Sequence, residues 1–256
     1  MKICARTTGV ALVLLVATLQ SSAFELQGNL GGNNDWSTSH AFKNILKLGR
    51  EWHNEGGVQV DENYYPLSVG PGQRFSYLLL VDIPHVGYPF GTFTVIFSGT
   101  GEVRISGDCG PSKTFASNGP ETRGTFTVTP STIRSNTGGS MDLEPRSQML
   151  MLDIVRSEAG DPIRDLAVIL PDTNGGTSYV DNYKCQPFNP VLLNELRIFN
   201  TLRFMDWVHA CSNKDSLWSQ RTPVENLSWS QGWNLDNDRE VPWEIIIQMC
   251  NVLGKN

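Results

Sequence analysis

The sequence predicts a mainly β protein: an antiparallel, jelly-roll-like β-sandwich over residues 24–187, followed by a short α/β segment over residues 188–256. Three observations carry that expectation. Six β-prone runs between Phe75 and Leu170 are separated at short intervals by Gly, Pro or Asn clusters, the rhythm of many short antiparallel strands. With 24 Gly and 14 Pro among 256 residues, strands and turns are favoured over a helical bundle. After Pro187 the rhythm stops, and FNPVLLNELRIFNTLRFMDW (188–207) reads as helix, turn and strand.

In chain order, residues 1–23 are expected to be a signal peptide. Lys2 and Arg6 form a basic start, Gly9 to Leu19 is an apolar run too short to span a bilayer, and Ser21-Ser22-Ala23 supplies small residues for cleavage. An uncleaved anchor is the alternative. The mature chain is then secreted and extracellular, with no membrane contact after cleavage. Phe24 to Leu30 alternates and runs into GGNN, giving a first strand and a turn. Phe42, Ile45, Leu46 and Gly49 recur at loosely helical spacing and predict a short helix within Ser39–Trp52. Asp61-Glu62-Asn63, Pro66 and Gly70-Pro71-Gly72 mark loops.

The predicted strands are Phe75–Val81, Thr92–Ser98, Glu102–Gly107, Gly124–Thr129, Met149–Arg156 and Ile163–Leu170. Phe93, Val95 and Phe97 face one way, and Thr92, Thr94 and Ile96 the other. Beyond the boundary at 187, Asn189 caps a helix with Pro190 at its first position and Leu192, Leu196 and Phe199 on one face. Thr201–Trp207 is then a buried strand. Pro242–Leu253 is a second helix, with Ile246, Met249, Cys250 and Leu253 on one face and Gly254 as its C-cap. Helix, strand, long loop and helix open an α/β repeat, and only two residues follow Gly254. The segment is expected to be the start of a larger domain.

A net charge of −6 gives no basic face for nucleic acid, and 39% hydrophobic residues are ample for a packed core. Once Cys4 leaves with the signal, Cys109, Cys185, Cys211 and Cys250 remain, an even number for an oxidising compartment. Three pairings are possible. Keeping each pair within one unit favours Cys109–Cys185 and Cys211–Cys250, with buried free thiols as the alternative. Asn226-Leu227-Ser228 is the sole N-glycosylation sequon, used on an exposed loop in a eukaryotic host. No cysteine sits in a CxxC or at zinc-finger spacing from His, and no GxSxG, HExxH, P-loop or dinucleotide fingerprint is present. No metal and no cofactor is therefore expected.

The segments NLGGNNDWST, AFKNILKLGREW, VDENYYPLSVGPGQ, GYPFGTFTVIFSGTGEVRISGDC, DPIRDLAVILP, NPVLLNELRIFNTLRFMDW and VPWEIIIQMCNVLG, in this order, resemble a group of secreted glycoside-hydrolase-like or cellulose-binding proteins. The resemblance covers nearly the whole mature chain. It implies an N-terminal β-sandwich leading into a (β/α) barrel, with TLRFMDW similar to the first barrel strand and VPWEIIIQMCNVLG to the helix after it. Such proteins continue for several further strand–helix units.

Arg203, Asp206 and Trp207 are the sharpest site candidates, because the C-terminal end of a barrel strand faces the active site. A structural ion pair and a packed indole are the bland reading. Trp218, Trp229 and Trp233 lie in the loop Val208–Glu240, where indoles suit the C–H faces of pyranose rings but serve equally as hydrophobic anchors. Glu225, Asp236, Asp238, Glu240 and Glu244 are explained by solvation or a helix dipole, and the four histidines are isolated; no catalytic residue is assigned. Two functions compete. One is the N-terminal portion of a sugar-active protein, non-catalytic by itself, with a carbohydrate ligand. The other is a free-standing secreted β-sandwich that binds carbohydrate or a protein.

Overall fold

The computed structural model describes residues 25–136, 149–211, 215, 217–230 and 239–255. The expected signal peptide and Trp233 lie outside the described residues. The described chain is mainly strand: β1 Gln27–Asn29, β2 Arg50–Glu55, β3 Arg74–Val81, β4 Gly91–Gly107, β5 Lys113–Val128, β6 Met149–Ser157, β7 Arg164–Ile169 and β8 Thr201–Arg203. Three helices accompany them: α1 Pro130–Asn136, α2 Pro190–Leu196 and α3 Trp243–Leu253.

Strands β2 to β7 make one curled antiparallel sheet in the order β2-β3-β6-β4-β5, with β7 paired to β4. The two strands predicted over 92–107 are a single bent strand, β4. Its first half pairs with β7 from Thr94↔Ile169 to Ser98↔Arg164, and its second half with β6 from Gly101↔Ser157 to Gly107↔Leu150. The bend falls at Gly99, whose φ is 91° and where a Cβ would meet the Pro162 carbonyl oxygen at 2.1 Å. Only glycine fits such a close backbone crossing. Curling buries both sets of side chains in the first half of β4: Phe93, Val95 and Phe97 are inaccessible, and Thr94 and Ile96 nearly so.

Phe75, Tyr77, Val103, Ile105, Leu152 and Ile154 enter the main core. The other face carries a polar ladder centred on Asp153, which is buried. Asp153 accepts a hydrogen bond from the Ser76 hydroxyl, two from Arg104 at 2.8 and 3.1 Å, and one from Arg74 at 3.3 Å.

Two element expectations are corrected. Residues 39–52 do not form an α-helix; a 3-10 turn covers Ile45–Leu48 and β2 starts at Arg50. The Asn44 side chain explains this, because its carbonyl oxygen accepts from Leu46 N–H at 3.1 Å and from Val168 N–H at 3.0 Å, fixing the chain to β7. The strand predicted over Thr201–Trp207 ends at Arg203, and turns follow with Trp207 and Val208 N–H bonded to the Phe204 carbonyl. The indole of Trp207 donates to Gly31 C=O at 3.0 Å, so the chain curls inward rather than running on. Helices α2 and α3 form as predicted, with Asn189 accepting from Val191 N–H at 3.1 Å and Gly254 closing α3 at φ 64°.

β8 is not alone. It runs parallel to β1 in the register Gln27↔Thr201 to Asn29↔Arg203. The core beneath it joins Leu30, Ala41, Phe42 and Leu48 to Phe188, Leu192, Trp207, Trp229, Val241, Ile245 and Met249. Residues from the start of the chain therefore complete the core that supports its last quarter. Among the described residues no helix is long and apolar enough to cross a membrane.

Burial alone would raise the Asp153 carboxyl, but the hydrogen bonds from Ser76 and Arg104 and the charges of Arg104 and Arg74 hold it below the usual range. A folded value below the unfolded one adds stability that is complete above about pH 4 and disappears as pH falls through the folded value. Asp153→Asn should cost about 2 kcal/mol at pH 7 and less as the medium is acidified, measured by urea denaturation across that range.

Candidate functional site

The candidate site is a cleft between the turn at 61–65 and the loop at 217–229. Asp61 builds the first wall: its carboxylate accepts from Asn63 N–H at 2.9 Å and Tyr65 N–H at 2.8 Å. This tight turn holds Tyr64 at φ 66°, a left-handed conformation that a tyrosine adopts only when its surroundings impose it. The Tyr64 ring thereby lies over the Arg239 guanidinium at 3.6 Å.

Arg239 is buried and forms part of the cleft floor. It donates to the Tyr77 hydroxyl at 3.1 Å and to Glu51 at 3.0 Å. Burial opposes its charge, but the hydrogen bond to the Tyr77 hydroxyl and the Glu51 carboxylate hold the guanidinium charged. The Tyr77 hydroxyl is pushed well up by burial, which keeps it a neutral acceptor despite the nearby arginine.

The second wall begins with a 3-10 turn at Trp218–Gln220. Arg221 stacks on Trp218 at 4.2 Å and donates to its carbonyl at 3.2 Å. Its Nε donates to Glu244 in the first turn of α3 at 3.1 Å, and that bond lowers the Glu244 carboxyl. Leu227 N–H donates to Asn63 C=O at 2.9 Å and ties the two walls together. The space between them is about 740 Å³, with Glu62, Asn63, Tyr64, Arg221, Asn226 and Arg239 among its lining.

A second cavity of about 550 Å³ adjoins it, sharing Asn63 and Glu225 and lined deeper by Lys47, Tyr65 and Trp229. Lys47 is half-buried. Its ammonium donates to Val224 C=O at 3.3 Å and to Asn226 C=O, and lies 4.6 Å from the Trp229 ring centre. Burial lowers its pKa to about 7, partly opposed by Glu225.

The residues singled out by sequence divide between this cleft and other places. Trp218 is 64% exposed and precedes the cleft-lining Ser219–Arg221 without itself lining the cleft, and Trp229 is a buried side of the second cavity. Trp207 is buried in the second core, tilted against Phe42 and edge-on to Phe204. Arg203 is exposed and donates to the Met205 sulfur at 3.0 Å. Asp206 lines a separate cavity of about 330 Å³ with Asn34, Met205, His209 and Cys211. With β8 ending at Arg203, neither Asp206 nor Trp207 projects from a strand end. Cys109, Cys185, Cys211 and Cys250 are all free thiols, Cys109 buried and Cys185 and Cys211 exposed. Asn226 and Ser228 of the sequon are buried, with Ser228 Oγ donating to Gly49 C=O.

Sequence reasoning missed Tyr64, Arg221, Arg239 and Lys47. The turn signal at Asp61–Pro66 was visible, but nothing in it says that an arginine from residue 239 stacks on the tyrosine. No protein-family model, curated protein or solved structure matches the chain.

Lys47 generates a pH signature. Its folded pKa, about 7, lies below the ordinary 10.5. Between those values the unfolded chain carries the extra proton, so raising pH stabilises the fold. The melting temperature should climb from neutral pH towards the lysine range, and Lys47→Met should flatten that climb, measured by scanning calorimetry in a buffer series.

Proposed function

We propose that this is a secreted, carbohydrate-associated protein that binds sugar in the cleft between residues 61–65 and 217–229. The observation that carries the reading is Trp218, an exposed indole next in sequence to the cleft-lining Ser219–Arg221 and braced by Arg221, itself held by Glu244. A braced, exposed indole offers an apolar plate to the C–H face of a pyranose. The planar groups that line the cleft, on Asn63, Arg221 and Asn226, match the paired hydroxyls of a sugar ring. A largely pre-formed concavity of this size accommodates a short oligosaccharide.

Binding rather than turnover fits the carboxylates present. Glu62 and Glu225 on the cleft wall are exposed to solvent. The same proposal reads the curled sheet as a jelly-roll-like sandwich, and residues 188–256 as corresponding to the opening of a (β/α) barrel similar to those of glycoside hydrolases. The parallel pairing of β8 with β1, followed by α3, supports that orientation. Secretion, and oxidation of the four thiols in the pairs Cys109–Cys185 and Cys211–Cys250, belong to the same reading.

The test is titration calorimetry with short gluco-, xylo- and manno-oligosaccharides on the full chain. Binding of one series is expected, and Trp218→Ala should weaken it about tenfold while leaving the melting temperature within a degree or so. Absence of binding to every series, or equal binding by the variant, would remove the cleft from consideration.

A further inference from the structure

The cavity of about 550 Å³ beside the cleft differs from it in chemistry. Phe42, Leu166, Ala167, Pro187 and Ile245 give it an apolar wall, and all five are buried. Asp61, Arg164, Asp165, Lys184 and Glu225 also line it, and each of these charged residues is exposed. Tyr65 and Tyr183 complete the titratable groups; burial raises both hydroxyls, so they stay neutral. Among the described residues, that leaves Lys47 as the charged group of the lining whose ionisable end is buried.

Local structure puts Lys47 there. The 3-10 turn Ile45–Leu48 buries Ile45, Leu46 and Leu48 in the cores and leaves Lys47 to meet the loop at 217–229. Its carbonyl accepts from Trp229 N–H at 3.1 Å and from the Asn33 side chain at 2.9 Å, which fixes the root of the side chain. Nζ directs two of its three hydrogens to the carbonyls of Val224 and Asn226, and no carboxylate among the described residues bonds to it. A buried cation met only by neutral dipoles loses hydration without gaining a counter-charge, and its lowered pKa is the consequence. Trp229 lines the same cavity, its ring centre 4.6 Å from Nζ. It is 3% exposed, and its indole N–H has no acceptor among the described residues. One wall therefore carries two donors and no anion to match them.

We propose that this cavity binds a small organic acid, with its carboxylate at Lys47 and its apolar body against the wall of Phe42, Leu166 and Ile245. The inference goes beyond the carbohydrate reading and does not rest on it. A carboxylate supplies the missing counter-charge and accepts hydrogen bonds without donating any, which suits an ammonium and an unpaired indole N–H. Apolar walls with a few placed polar groups are the usual make-up of a small-molecule site. A neutral sugar would leave the ammonium without a counter-charge and set hydroxyls against Phe42 and Ile245. The bound anion restores the charge on Lys47, so binding is coupled to uptake of a proton wherever the free amine is neutral.

The experiment sets acids against their amides on the full chain. Benzoate, phenylacetate and hexanoate, beside benzamide, phenylacetamide and hexanamide, are titrated by calorimetry at about pH 8 in two buffers of different ionisation heat. At least one acid should bind, with its amide weaker by about tenfold or more. Because free Lys47 titrates at about 7, acid binding at that pH should take up about one proton. Lys47→Met should abolish the uptake and weaken the acid about tenfold. Trp229→Phe, which keeps a ring beside Phe42, should weaken it about threefold. Melting temperature is the folding control for both variants, and Trp218→Ala should bind the acid as wild type does. Binding of no acid, an acid bound no better than its amide, or binding without proton uptake overturns the site, and all three are read on wild type. Equal acid binding by folded Lys47→Met overturns it as well. Each of these results leaves the cleft reading standing, because that reading is tested with neutral oligosaccharides.

Discussion

Phe42 is the contact on which the arrangement of the cleft depends. Its ring is inaccessible to solvent and packs against Phe188 at 6.0 Å, Trp207 at 5.4 Å and, edge to face, Trp229 at 5.0 Å. Those partners come from the crossing out of the main sheet, from the turn after β8 and from the loop that forms one cleft wall. Its backbone is tied as well, through the bridge Phe42↔Phe188 and the bond from Lys43 N–H to Pro187 C=O at 2.8 Å. One side chain from the beginning of the chain thus anchors three segments from its end. Aromatic burial of this kind contributes on the order of 3 kcal/mol or more, a large share of a domain's net stability.

From that anchor the site follows by short steps. Trp229 N–H donates to Lys47 C=O at 3.1 Å, and the Lys47 ammonium returns to the carbonyls of Val224 and Asn226, so the loop is stitched to the 3-10 turn on both sides. Asn33 adds two more bonds, to the carbonyls of Lys47 at 2.9 Å and Trp229 at 3.2 Å. The far end of the loop is fixed by the Arg221–Glu244 pair on α3 and by Thr222, which accepts from Glu240 N–H at 3.0 Å. Arg239 then reaches back under Tyr64 and completes the floor. A loop tied at so many points can present Trp218 in one orientation, which is what a stacking surface needs.

Local signals in the sequence were sufficient for some elements. The β-prone runs Phe75–Val81 and Met149–Arg156 and the cap residues Asn189, Pro190 and Gly254 are short-range features, and strands β3 and β6 and helices α2 and α3 follow them. What local reading misses is pairing between distant, weakly patterned segments. β1 and β8 are three residues each, and neither alternates long enough to announce a partner. The first half of β5, Lys113 to Gly119, is mostly polar and exposed, and becomes strand because β4 lies beside it. At 39–52 the helical spacing was real, but the Asn44 side chain and the pairing of Arg50 with Leu78 outcompeted a propensity that is only a weak prior.

The tryptophans show the same limit at the level of the site. Their abundance near the end of the chain is visible in the sequence, but only burial separates Trp207 and Trp229, which hold the second core, from Trp218, which faces water. Hydrogen exchange on a folded Phe42→Ala variant tests the anchoring most directly. If Phe42 holds the cleft wall, the amides of Leu227 and Trp229 should lose protection strongly while those of β3 and β6 keep theirs. Unchanged protection at Leu227 and Trp229 in that variant would contradict the dependence of the cleft on this one ring.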